Sequence, residues 1–205
     1  MSMWSDIGAG AAVAVSAYSL WHTSLKRSAL KAFVSPVIRY ASPYQNSNFE
    51  VFAVPLTIAN EGARTGTIMS MDLVVTDPEH ARSKRFYSAD VGPWSIAKSN
   101  NGDFKPFAPI VLAGRSSHTD TILFHARRDE TVMQIVEKEG TYGFVLTLQT
   151  VESEDFGLLD RFWRRPPQPL RFEMILPMLD HRAFTSGSGT LPLHQRDWQT
   201  SVGAG

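Results

Sequence analysis

The residues of this chain best suited by type to chemistry are His118, Asp120 and His125, which fall close together. Two imidazoles and a carboxylate are the donor types of a metal centre or an acid–base pair. In an extended strand, however, His118 and Asp120 share one face while His125 points to the other. No further His or Cys stands nearby to complete a ligand set, so the plain reading is a solvated strand start. Ser116 and Ser117 place hydroxyls beside His118, but neighbours on a strand are poorly placed to hydrogen-bond as nucleophile and base. No elbow motif surrounds them either. No catalytic residue, metal or cofactor is therefore assigned, and a ligand-binding, metal-binding or hydrolytic site at a loop end stands as the alternative to a non-enzymatic role.

A second grouping is the run Asp160-Arg161-Phe162-Trp163-Arg164-Arg165-Pro166-Pro167-Gln168-Pro169. Arg161, Phe162, Trp163, Arg164 and Arg165 combine three guanidinium groups with two aromatic rings. That combination suits an anionic headgroup surface or a protein partner, and the proline-rich exit suits an aromatic groove. The plainer alternative is a strand connection whose two rings cover one end of the domain. Glu152, Glu154 and Asp155 precede it and can pair with the arginines or be solvated. Twenty acidic and twenty basic residues cancel, so no bulk field recruits nucleic acid.

The elements that hold these groups begin with a charge-free run from Ile7 to Leu25, bracketed by Asp6 and Lys26. As a helix it would rise about 28 Å, close to the roughly 30 Å of a bilayer core. Ile7, Val13, Val15, Leu20 and Leu25 supply its apolar character, and Tyr18 and Trp21 suit the interfacial level. Ser16, Ser19, His22, Thr23 and Ser24 dilute its second half, so a helix lying on a membrane or docked on its own domain is the alternative. Lys26, Arg27, Lys31 and Arg39 all follow the run, which predicts a cytoplasmic domain and a cell-membrane, single-pass topology. The cations follow rather than precede the apolar run, which argues against a cleaved signal peptide. The spacings Gly8–Ala12 and Gly10–Ala14 would permit close helix packing and self-association, although Ala and Gly are simply abundant here. The chain has no cysteine, which fits a reducing compartment without requiring one.

From Val34 onward the periodicity is that of strands. Phe52, Val54, Leu56 and Ile58 alternate with smaller or polar residues, and Pro55 predicts an edge position or a bulge. Met69, Met71, Leu73 and Val75 form one face of the next strand, and Asp77-Pro78 ends it. Further strands are expected near 85–89, 108–112 and 119–125, with Ile122 and Phe124 on one face and a tight turn at Asn101-Gly102. Tyr142, Phe144, Leu146 and Leu148 alternate in the clearest strand, and Leu170, Phe172, Met174 and Leu176 in the last. Asp129 to Glu139 is either a helix or a connection. Seven to eight short strands without a long helical period predict a mainly β domain, an antiparallel sandwich.

The segment Glu139-Gly140-Thr141-Tyr142-Gly143-Phe144-Val145-Leu146 resembles the late strand of immunoglobulin-like sandwiches. The resemblance places Tyr142 at the tyrosine corner and Phe144 at the core position held by cysteine in antibody domains. Ile58-Ala59-Asn60-Glu61-Gly62 resembles a strand-to-turn step of bacterial sandwiches. At fold level, the chain is similar to small bacterial proteins with one N-terminal membrane helix and an immunoglobulin-like domain. The expected organisation is a membrane helix with its basic flank (1–33), an immunoglobulin-like β-sandwich (34–179) and a flexible tail (180–205). The expected role is a non-enzymatic interaction or scaffold module at a membrane surface, its partners the lipid bilayer and a protein or a second copy of itself. Arg161 to Arg165 and exposed strand edges are the contact surfaces. An extracytoplasmic chaperone-like sandwich would need the opposite orientation.

Overall fold

Strict alternation of apolar residues obliges each strand to bury one face, and eight strands do so here by closing on themselves. The computed structural model of the chain describes residues 3–41, 50–92, 105–127, 132, 134–152, 168–178 and 190–196, and only the backbone at 3–9, 152 and 190. The elements are α1 (Met3–Leu20) with a π-helical turn at Trp21–Leu25, then β1 (Leu30–Val34), β2 (Val37–Ala41), β3 (Val51–Asn60), β4 (Gly66–Thr76) and β5 (Ser83–Val91). There follow β6 (Lys105–Pro106), β7 (Ile110–Leu112), β8 (Ser117–Ala126), β9 (Gly140–Glu152), β10 (Leu170–Leu176) and β11 (Thr190–Gln195). The sheet order β5-β8-β3-β2-β11-β10-β9-β4 is antiparallel throughout, and β4 pairs back with β5 from Asp72↔Tyr87 to Thr76↔Ser83. The result is a closed eight-stranded antiparallel barrel, with β1, β6 and β7 as short additions to β3, β5 and β4.

This overturns the immunoglobulin-like sandwich and the family resemblance built on it. Alternation reports which face of a strand is buried and is the same for a sandwich and a barrel. Closure is decided by the β4–β5 pairing and by β11, which lies in the segment read as tail and joins β2 to β10. The tyrosine-corner contact itself is present, since the Tyr142 hydroxyl donates to the Lys138 carbonyl at 2.6 Å. It secures a local bend at the start of β9 and does not specify the architecture around it.

Phe52 sits at the middle of the interior. Its ring lies 5.0 Å from Tyr40, 5.0 Å edge-on from Phe86 and 5.5 Å edge-on from Phe144, which in turn stacks on Phe172 at 5.1 Å. Tilted and edge-on rings are the favoured aromatic arrangements and add to the area they bury. On β4 the inward face is Ile68, Met71, Leu73 and Val75, while Met69 is exposed. A bulge between Ile68 and Ser70, opposite Thr150 and Gln149, shifts the phase of the strand, and alternation alone cannot foresee it. Near one end of the barrel Ile135 and Val136, in a non-helical connection, are fully buried.

Pro55 is not on an edge. It lies in β3 between two neighbours, opposite Thr121 of β8 and opposite Ser35, where β1 and β2 are interrupted by Ser35-Pro36. The pairing register moves by two residues across that break, from Val34↔Leu56 to Arg39↔Ala53. The missing proline N–H is thus met by a bulge in the neighbouring strand.

No helix among the described residues is long and apolar enough to cross a membrane, which overturns the single-pass, transmembrane reading. α1 contains Asp6 and ends at Leu20, its apolar part is diluted by serines, and the chain leaves helical geometry at Lys26. Nor is the helix docked on the described barrel: every side chain from Gly10 to Leu25 is exposed, Val13 and Val15 by more than two thirds.

Candidate functional site

The end of the barrel nearest α1 is organised by one side chain, Asn60, which is 1% exposed. Its Oδ1 accepts from the amides of Ala29 at 3.1 Å and Gly62 at 3.0 Å. Its Nδ2 donates to the carbonyls of Arg64 at 2.8 Å, Leu112 at 3.2 Å and Ala113 at 3.1 Å. The turn after β3, the turn after β7 and the segment before β1 are therefore tied together, so closely that a Cβ on Gly62 would lie 1.9 Å from the Arg27 carbonyl oxygen. A Cβ on Gly114 would meet the Ala63 carbonyl oxygen at the same distance. Arg115, at φ +57°, donates through its guanidinium to the His22 carbonyl at 2.7 Å and lies 2.8 Å from His22 Nδ1. A cation on the last carbonyls of a helical segment is electrostatically favoured, and it fixes the base of α1 to the barrel.

This frame holds β1 along half of β3, and among the described residues no strand pairs with the other edge of β1. Glu61 N–H donates to Ala29 C=O and Ser35 N–H to Pro55 C=O, so the odd-numbered residues of β1 direct their backbone groups to β3. The N–H and C=O groups of Leu30, Ala32 and Val34 then point away from it, as the antiparallel ladder requires. The next strand along, β11, is described as far as Gln195, whose N–H donates to Pro36 C=O, and then Arg196, whose N–H donates to Glu173 C=O. Beyond that point a groove of about 630 Å³ opens between β1 on one side and β9 and β10 on the other. Leu30, Ala32, Leu146, Leu148, Pro169 and Leu170 make its apolar lining, and Phe33, 53% exposed, stands on its rim. Arg27 and Lys31 also line it, Lys31 bonding Glu61 at 2.7 Å.

The residues singled out from sequence fall in different places. His118 Nε2 lies 3.7 Å from Asp120 Oδ2, whereas His125 Nε2 lies 3.4 Å from Asp90 Oδ2 and its ring 6.4 Å from that of Tyr87. Among the described residues no three His, Cys, Asp or Glu side chains converge as metal ligands. Burial lowers the pKa of His125 despite the opposing pull of Asp90, so the imidazole favours its neutral form. Val13, Val15, Tyr18, Leu20, Trp21 and Leu25 are exposed, Lys26 joins the Asn60 frame through its carbonyl, and Arg27 lines the groove. Only the backbone of Ile7 is described. Arg161, Phe162, Trp163, Arg164 and Arg165 lie outside the described residues, as does the Asn101-Gly102 turn.

Sequence reading missed the groove and a buried charge pair. Glu50 is fully buried and accepts from Tyr40 Oη at 2.5 Å and Ile135 N–H at 2.8 Å. Its second oxygen takes the ammonium of Lys84, which is 2% exposed. Both carboxylate oxygens are thus engaged in joining β2, β3, β5 and the connection before β9, a structural role. Lys84 sits in the inward phase of β5 with Phe86, and a charged residue at an inward position was the available signal. At the same end, burial raises the Asp77 pKa, but the amides of Arg82 and Ala81 and the Arg82 guanidinium outweigh it and hold the carboxyl below its ordinary value.

No family model matches the chain, and no curated protein is significantly similar to it. Among solved structures it is similar to the ApaA protein of Bordetella pertussis, with 14% identity over 83% of this chain and 97% of that one, at a TM-score of 0.37. A second likeness is to the β-D-glucoside glucohydrolase of Trichoderma reesei, with 17% identity over 60% of this chain and 18% of that one, at a TM-score of 0.28.

Proposed function

We propose that this chain is a non-enzymatic interaction module that takes an extended segment of a partner polypeptide as an added strand in the groove between β1 and β10. The observation that carries the reading is the edge of β1 that stays unpaired among the described residues, where the backbone groups of Leu30, Ala32 and Val34 face a groove with a largely apolar lining. An unpaired edge is a template for strand addition: main-chain bonds supply affinity and the pockets for alternate side chains supply selectivity. Most barrel strands are paired along both edges, so the groove is a local interruption with a defined place and direction.

Proline at position 32 tests this directly. Ala32→Pro removes an N–H that points into the groove and leaves the odd-numbered bonds to β3 in place. The purified variant should keep the far-UV spectrum and thermal transition of the parent while losing partner capture. Phe33→Pro, which removes an N–H directed to β3, should instead lower stability. Retained capture by Ala32→Pro would place the contact surface elsewhere.

A second contact is favoured by the exposed apolar side chains of α1, Val13, Val15, Tyr18, Leu20 and Trp21, followed at once by Lys26 and Arg27. Lying on an anionic lipid surface would cover the side of the helix that carries Val13 and Leu20. Co-flotation with phosphatidylserine-containing vesicles, lost when residues 1–20 are removed, is the expected outcome. Binding that survives the deletion would remove α1 from this role.

A further inference from the structure

Arg115 is held in a backbone conformation that suits another residue type. Its φ is +57°, in the left-handed region where a Cβ is costly and glycine is at ease. Its neighbours fix the turn in place. The Arg115 N–H donates to Gly62 C=O at 2.9 Å, Ser116 Oγ donates to Ala113 C=O at 2.7 Å, and Gly114 lies too close to Ala63 to accept a Cβ. Glycine at 115 would adopt this backbone freely, so what arginine adds there is its guanidinium. A strained residue that its surroundings over-determine is a reason to seek a use for its side chain.

That side chain reaches the last helical turn before β1. Its Nη2 donates to the His22 carbonyl at 2.7 Å and lies 2.8 Å from His22 Nδ1. A guanidinium has donors only and stays charged throughout the physiological range. Nδ1 must therefore present its lone pair, which puts the ring proton of neutral His22 on Nε2. When the ring takes a second proton, Nδ1 becomes a donor and the imidazolium stands against another cation. Imidazoles make that change between about pH 5 and 8. Among the described residues, the titratable side chains that face His22 are Tyr18, on its own helix with ring centroids 5.9 Å apart, and Arg115, from the turn between β7 and β8. Neither is a carboxylate that could offset the imidazolium. A cation at a helix C-terminus is itself favoured, so protonated His22 keeps α1 helical while losing the contact to the barrel. What remains is Lys26, whose carbonyl accepts from Ala63 N–H at 2.9 Å and Arg64 N–H at 3.1 Å. We infer that Arg115 and His22 form an acid-released latch, which holds the base of α1 on the β7–β8 turn at neutral pH and frees the helix to pivot about Lys26 when His22 is protonated. The latch depends neither on strand acceptance in the groove nor on lipid contact by α1.

The chain contains no cysteine, so Val13→Cys, at an exposed position on α1, accepts a single nitroxide label. Electron paramagnetic resonance of the labelled full chain, free of lipid, reports whether α1 moves with the barrel. The ratio of mobile to immobile label should rise about two- to tenfold between roughly pH 7.5 and pH 5.5, the scale of losing one exposed hydrogen bond. His22→Asn places an amide oxygen where Nδ1 stood, accepts without titrating, and should keep the label immobile at both pH values. Arg115→Ala should leave it mobile at both. A global acid response of the barrel would persist in His22→Asn, so the same rise in that variant overturns the latch. It is equally overturned by a label that ignores pH in the parent, by one that stays immobile in Arg115→Ala, or by nitrogen NMR that finds the proton of neutral His22 on Nδ1.

Discussion

Asn60 serves three stretches of backbone at once, and its amide is the only side chain that offers two donors and two acceptor lone pairs in so small a volume. Asn60→Ala leaves the amides of Ala29 and Gly62 without their acceptor, at roughly 1–3 kcal/mol for each buried group. The expected outcome is a fall in Tm of about 5–15 °C, measured by calorimetry, with the amides of 29–34 losing protection first. His125 gives the chain an acid response. Its folded pKa is depressed by burial below the 6.5 of an ordinary imidazole, so its contribution is complete above pH 6.5 and is lost as pH falls through the folded pKa. Stability should therefore decline on going from pH 7.5 into the acid range, and His125→Gln should flatten that decline. An unchanged profile would mean another group governs it. The sequence pointed to the Ile58–Gly62 step and to the histidines, but the hydrogen-bond partners of each come from strands distant in the chain.

Strands were legible as elements and α1 was legible as a helix. β3 and β8 bury the faces that alternation assigns them, β9 does so at Tyr142, Phe144 and Leu146, and β10 at Met174 and Leu176. Leu170 and Phe172 are only partly buried, and among the described residues β11 pairs with β10 only at Met174 and Ile175. The phase of β4 was not legible, since the bulge at Ile68–Ser70 is set by its partner β9. What happens at the base of α1 belongs to this scale too. Arg115→Ala removes the guanidinium contacts to His22 and should leave the barrel transition nearly unchanged, within about 1 kcal/mol for exposed bonds. Hydrogen exchange at Trp21–Lys26 should accelerate in the same variant. Equal protection would show that the turns around Lys26 suffice to hold the helix.

At the scale of the whole molecule, closure depends on β11. Leu191 and Leu193 are buried, and the strand joins β2 to β10. A chain ending at residue 189 would expose two long edges and the interior, so it should lose cooperative unfolding and aggregate. A sandwich with a dispensable tail would survive the same truncation, and calorimetry with size-exclusion chromatography separates the two. The Glu50–Lys84 pair ties the residue before β3 to β5 across the intervening strand β8.

By itself the sequence determined the strand content, the buried faces, the punctuation at Asn60-Glu61-Gly62 and Asp77-Pro78, and the presence of an apolar helix ahead of the β domain. These are local properties, written in spacings of two and about four residues. Only the tertiary structure decided that the sheet closes as a barrel, that Pro55 lies opposite a break in its neighbour, and that a groove opens between β1 and β10. Each depends on which edges meet. Edge pairing is set by bulges, twist and contacts between residues far apart in the chain, and alternation carries no record of it.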